Sequence, residues 1–160
     1  MSEAKKVLVV FYSHSGNTRT IGQAIAEKLG ADVEEIVEAK PKTGLIHFVA
    51  SGFQAKSGGQ AKIQPLHRDP ALYDLVIVGS PVYAGTIASP VRTYLTEQKL
   101  RIKKMACFVT SGDPKNEPAL TAMSQALGKT PLATLGIAAA GVKAGVYEDQ
   151  VAAFCAQLAH

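Results

Sequence analysis

At 160 residues, 47% of them hydrophobic, the chain has the size of one domain, 1–160, with room for a sizeable core. No apolar stretch reaches the roughly 18 residues of a membrane span, and Lys5-Lys6 runs straight into an apolar segment without a signal-type region, so a cytoplasmic protein is expected. The formal charge of +4 raises nucleic acid as a partner, but no recognition motif accompanies it; the cations gather in 39–68 (Lys40, Lys42, Lys56, Lys62, Arg68) and in Lys99, Arg101, Lys103 and Lys104, which read as solvated edges.

Short apolar runs alternate with helical patterns, the signature of an α/β fold with a parallel sheet buried on both faces. In chain order the first strand is Val7 to Phe11, followed by a helix over Thr18 to Leu29, with Ile21, Ala24, Ile25 and Leu29 on one face and Gly30 as its cap. Asp32 to Val37 is a second strand. Thr43 to Ala55 carries a helical pattern broken by Ser51-Gly52, and Ser57-Gly58-Gly59-Gln60 reads as a loop. Leu75 to Gly79 is a third strand, and Ser89-Pro90 gives an N-cap and first-turn proline for a helix ending near Gln98. Met105 to Thr110 is the fourth strand. A helix then opens at Asn116-Glu117-Pro118 and closes at Gly128, a fifth strand covers Ala133 to Ala138, and a final helix spans Tyr147 to Leu158. Cys107 and Cys155, far apart and without a C-x-x-C, are read as buried core thiols, with no disulfide and no metal site.

In an open doubly wound sheet, ligands bind beyond the carboxyl ends of the strands where the strand order reverses. That rule collects three loops. Ser13-His14-Ser15-Gly16-Asn17-Thr18 lies between strand and helix; its hydroxyls, the freedom of Gly16 and the unpaired N–H groups of the helix start suit a phosphate monoester that is bound and kept. Within it His14 is a bystander or else tunes a nearby anion, and Arg19 beyond it either meets phosphate or is solvated. Ser80-Pro81-Val82-Tyr83-Ala84-Gly85-Thr86 can hold a flat ring, with Tyr83 as the contacting aromatic. Ser111-Gly112-Asp113 offers backbone amides to polar ring atoms, Asp113 serving either that ring or its own turn before Pro114. A phosphate at one end and a planar ring between two loops describe a mononucleotide, and FMN fits.

Gly128-Lys129-Thr130 imitates the end of a nucleoside-triphosphate loop, but Met123 stands where that motif needs glycine. The dinucleotide fingerprint is absent after the first strand, which argues against a stably bound NAD.

Two segments carry a resemblance over nearly the whole chain. Val9-Val10-Phe11-Tyr12-Ser13-His14-Ser15-Gly16-Asn17-Thr18-Arg19 and Tyr73-Asp74-Leu75-Val76-Ile77-Val78-Gly79-Ser80-Pro81-Val82-Tyr83 resemble the flavodoxin family. The resemblance implies a five-stranded sheet in order 2-1-3-4-5, for which flavodoxin is itself a standard example, and non-covalent FMN. It implies that the first loop binds phosphate, the second flanks the isoalloxazine and the third meets its pyrimidine side. The chain departs from that pattern in being basic, in lacking an aromatic over Ser111 to Asn116, and in its long stretch Ala39 to Arg68. Three expectations follow: an electron carrier with a redox partner protein, an enzyme passing electrons from NAD(P)H to a quinone or flavin, or a non-redox FMN-binding regulatory module. The flavin would carry the chemistry, so no catalytic residue is expected.

Overall fold

The structure is a computed structural model, and it describes residues 5–39, 61–112 and 116–158. The helix expected over Thr43 to Ala55, Asp113, and most of the basic stretch lie outside the described residues.

The elements are β1 (Val7–Phe11), α1 (Asn17–Leu29), β2 (Asp32–Glu35), a 3-10 turn (Pro70–Leu72), β3 (Leu75–Tyr83), β4 (Thr86–Ile87), α2 (Ser89–Gln98), β5 (Met105–Ser111), α3 (Glu117–Leu127), β6 (Thr134–Ala138), α4 (Ala139–Ala144) and α5 (Glu148–Leu158). Five strands run parallel in the order β2-β1-β3-β5-β6, and β4 folds back antiparallel on β3. Counting parallel strands only, this is the expected order 2-1-3-4-5.

Alternation along the strands divides the core into two layers. Leu8, Val10, Val76, Val78, Cys107 and Val109 face one side, where Val91, Tyr94 and Leu95 of α2 and Ala119, Met123 and Leu127 of α3 cover them. Val7, Val9, Phe11, Leu75, Ile77 and Phe108 face the other, covered by Ile21 and Ile25 of α1 and by Val151, Phe154 and Leu158 of α5. The central strands are buried on both faces, which is why their sequences are continuous apolar runs. Cys107 and Cys155 belong to opposite layers and are both buried, as read; burial pushes the Cys107 thiol up to about 12.

Several boundaries differ from the sequence reading, most by a single residue, and three of them bear on how the loops are placed. The regular part of β2 stops at Glu35, although Ile36 still donates to the Phe11 carbonyl at 2.7 Å. Ser89 is the first residue of α2 rather than its cap. Ala88 holds the extended cap conformation, and its carbonyl takes the N–H groups of Val91 and Arg92. The reason lies eight residues upstream, where the buried Ser80 hydroxyl accepts the Ala88 N–H at 2.9 Å and fixes where the helix begins. The third difference is at β3, which continues past Gly79 to Tyr83.

Ile63 bridges antiparallel to Glu38, and the chain from there to Asp69 runs beside edge strand β2. Glu34, buried on that strand, accepts the N–H groups of His67 at 2.7 Å and Arg68 at 2.8 Å. One carboxylate thus covers an edge that would otherwise expose its backbone.

Candidate functional site

The carboxyl ends of β1, β3 and β5 meet at the top of the sheet, and the three loops leave from them. Phe11 pairs with Gly79, and Ser80 and Pro81 pair with Val109 and Thr110, so the loops start on adjacent rungs.

The first loop is built around Ser13 and Gly16. Ser13 Oγ accepts the N–H groups of Gly16 at 3.1 Å and Arg19 at 3.2 Å, which closes the turn and leaves the hydroxyl hydrogen free to donate outward. Gly16 sits at φ +102°, a conformation that side-chain-bearing residues rarely adopt. Among the described residues the N–H groups of Asn17 and Thr18 have no backbone acceptor, and they are the first-turn donors left at the positive end of α1. His14 and Ser15 are exposed. From Tyr12 to Thr18 the loop offers donors and no carboxylate, a set suited to a phosphate monoester.

Two side chains of this turn have partners that the sequence did not reveal. The Thr18 hydroxyl is buried and lies 2.8 Å from the Thr110 hydroxyl, so it joins the first loop to the end of β5 beneath the turn. Arg19 forms a two-pronged pair with Glu35, Nε to Oε1 at 2.9 Å and Nη2 to Oε2 at 2.6 Å. The guanidinium is therefore held by β2 while its side chain stays 41% exposed beside the turn.

The second segment is a hairpin rather than an open loop. Val82 pairs with Ile87 and Tyr83 with Thr86, leaving Ala84-Gly85 as a two-residue turn with both φ values positive, +50° and +79°. This is the turn whose twist matches paired strands, and an X-Gly pair between Val82-Tyr83 and Thr86-Ile87 was the signal for it. Ser80 is fully buried and its hydroxyl is used on Ala88, so it anchors the base of the hairpin; Pro81, Val82 and Tyr83 are part-exposed and Ala84 and Gly85 form the exposed tip. Arg92 reaches back from α2 to donate from Nη2 to the Thr86 hydroxyl at 3.1 Å, while its buried Nε has no acceptor among the described residues.

The third loop starts at Ser111, buried, and Gly112, exposed; Asp113 lies outside the described residues.

A buried acid was missed. Glu38, beyond β2, is 7% exposed, and the Tyr12 hydroxyl donates to its Oε1 at 2.7 Å. Burial, then this hydrogen bond and the Glu38 charge, push the Tyr12 phenol far above its ordinary value. Tyr83 lies in the same field: burial and then the Glu38 charge push it up to about 12. Tyr12, Glu38 and Tyr83 thus form one cluster between the first loop and the hairpin. The strand pattern ends before Glu38, so only tertiary packing brings it there.

The family model described as a flavodoxin domain matches residues 45–154, a span that holds the hairpin and the third loop. Similar solved structures match most of the chain. The chain is 24% identical to a flavoprotein in complex with FMN from Lactobacillus acidophilus NCFM, with a TM-score of 0.73, over 88% of this chain and 98% of that one. It is 19% identical to oxidised Flavodoxin 2 from Bacillus cereus, with a TM-score of 0.63, over 96% and 97%. These structures share the fold. With more than half of its length matched by the family model, the chain belongs to the flavodoxin-domain family.

Proposed function

We propose that this protein binds FMN without a covalent bond and passes electrons through it to a redox partner. The observation that carries the reading is the convergence on one sheet edge of a hydroxyl-rich, carboxylate-free turn at the start of α1 and the rigid hairpin that presents Tyr83. Family membership and the FMN held by the Lactobacillus acidophilus structure support it.

In this reading Ser13, Ser15 and the N–H groups of Asn17 and Thr18 hold the phosphate, and Gly16 keeps the turn open to it. Thr18 contributes from below by fixing the turn to β5. Pro81 to Thr86 flank the isoalloxazine, with Tyr83 against it, and Ser111, Gly112 and Asp113 face its polar edge. Ser80 and Arg92 hold the hairpin in place. When bound, FMN supplies one- and two-electron chemistry, and the chain's residues supply position and electrostatics. The partner is a redox protein or a small acceptor such as a quinone.

Titration of the apoprotein with FMN and with riboflavin tests the site. FMN should bind more tightly because riboflavin lacks the phosphate, and Ser15→Ala should remove part of that margin, about 1.5–3 kcal/mol for a hydrogen bond to a charged group, at least tenfold in affinity. Equal affinity for the two flavins would refute the phosphate assignment. Anaerobic mixing of the FMN-loaded protein with NADH and NADPH separates carrier from reductase: a carrier's flavin absorbance stays unbleached.

A further inference from the structure

The opposite end of the sheet carries a surface that electron transfer at the top does not use. Leu72 precedes β3, Leu100 precedes β5 and Leu132 precedes β6, and these strands are consecutive neighbours in the sheet. The three leucines are 68%, 99% and 54% exposed, and they are three of the five large hydrophobic residues exposed among the described residues.

Lysines surround them. Lys6 lies before β1, Lys99, Lys103 and Lys104 flank Leu100, and Lys129 precedes Leu132. Lys129 Nζ donates to the carbonyls of Ile102 at 2.6 Å and Lys103 at 3.2 Å, and the Leu132 N–H donates to the Met105 carbonyl at 2.8 Å, which welds the last two loops into one surface. Carboxylates enter at the flanks: Asp69 pairs with Arg101 at 3.2 Å, Glu97 lines the same groove, and Asp74 accepts the Lys6 N–H at 2.8 Å. Helix C-termini favour nearby cations and explain Lys129 and Lys99. They do not explain three leucines left in water between those cations.

We propose that this amino-terminal edge docks on the surface of an anionic lipid bilayer. Leu100 among Lys99, Lys103 and Lys104, and Leu132 beside Lys129, suit the boundary between acyl chains and headgroups, where a leucine dips and lysines reach phosphate, and Leu72 adds a third apolar point in a hollow it shares with Lys5, Lys6 and Asp32. A protein partner would instead need a contiguous apolar centre, and these leucines stand on separate loops among lysines. The attachment is peripheral and reversible, and it turns the carboxyl edge of the sheet away from the lipid. The inference does not depend on what binds at that other edge.

The full-length protein is sedimented with vesicles of phosphatidylcholine alone and of phosphatidylcholine mixed with phosphatidylglycerol, at low and high salt. Binding is expected only to the mixed vesicles and should fade with salt. Lys103→Gln with Lys104→Gln should weaken it about twenty-five-fold, from about fivefold for each lysine. Leu100→Gln should weaken it about tenfold while leaving its salt dependence unchanged. Thermal unfolding monitored by circular dichroism verifies that the variants stay folded. Failure to sediment with mixed vesicles at low salt would overturn the proposal. So would undiminished binding by the folded variants, binding to heparin without binding to vesicles, or loss of binding only on neutralising Lys40, Lys42, Lys56 and Lys62.

Discussion

Thr18 and Ser15 stand three residues apart in one turn and do different work. The Thr18 hydroxyl is buried against that of Thr110, so Thr18→Val leaves a buried hydroxyl without its partner and should cost about 1–3 kcal/mol of stability in a urea titration of the apoprotein. Ser15 is exposed, and Ser15→Ala should leave that titration unchanged while weakening FMN. Equal stabilities for parent and Thr18→Val would place the threonine with Ser15 as a ligand donor only. The tyrosines make a second point at this scale. Tyr12, Tyr73, Tyr83 and Tyr94 all have phenols raised above the ordinary 10.0, burial being the first cause in each, and Tyr83 reaches about 12. A phenol whose folded value lies above its unfolded one binds its proton more tightly in the folded state. Its contribution is complete below about pH 10 and is lost as pH rises through the folded value. Stability should therefore fall between about pH 10 and 12, and phenolate absorbance from these rings should appear together with unfolding. Phenolate absorbance rising at pH 10 from all four rings in a still-folded protein would contradict the burial of Tyr12, Tyr83 and Tyr94.

At the scale of elements, the β3–β4 hairpin turns on two residues of positive φ, of which only Ala84 is strained by it. Ala84 holds φ +50° and Gly85 φ +79°. Gly85→Ala should destabilise by about 1–2 kcal/mol, whereas Ala84→Asn, which creates the favoured Asn-Gly pair, should leave stability equal or higher. Chemical denaturation of both variants checks this, and a Gly85→Ala protein as stable as the parent would mean that the turn has another geometry in solution. Glu34 invites a similar test. Its Oε1 alone accepts both backbone N–H groups, so Glu34→Ala, which removes that acceptor, should cost about 1–3 kcal/mol and increase proteolysis around His67, whereas Glu34→Gln, whose amide oxygen can take the same place, should cost less. The parallel strands and their helices were legible because periodicity reports burial, which is set locally by each apolar run between turn residues. The hairpin is faint in the sequence because its turn pair is Ala84-Gly85, without the Asn or Asp that most strongly marks such a turn, so Ser80 to Thr86 reads as an open loop. Glu38 and the Thr18–Thr110 contact were illegible in principle. They join residues 26 and 92 positions apart, and no local pattern marks a polar side chain as buried when its partner comes from another strand.

Taken whole, the molecule is basic. The formal charge is +4, Arg19 neutralises Glu35 beside the first loop, and Glu38 is the buried carboxylate at the carboxyl edge of the sheet. Reduction adds negative charge to a bound flavin, and a positive protein field favours that charge where an acidic one opposes it. The potential for the second electron should accordingly be less negative than in a strongly acidic flavodoxin. Salt gives the sign independently. Charges beyond about 10 Å are largely screened at 0.1 M ionic strength, so adding salt removes a favourable distant field here and should shift the potential to more negative values, opposite to an acidic protein. Glu38 acts at short range and behind a desolvated wall, so Glu38→Gln should raise the potential, and that increment should survive added salt. Spectroelectrochemical titration of parent and variant at low and moderate salt reads all three quantities. A potential that becomes less negative as salt is added would show that local carboxylates, and not the net charge of the chain, dominate the field at the flavin.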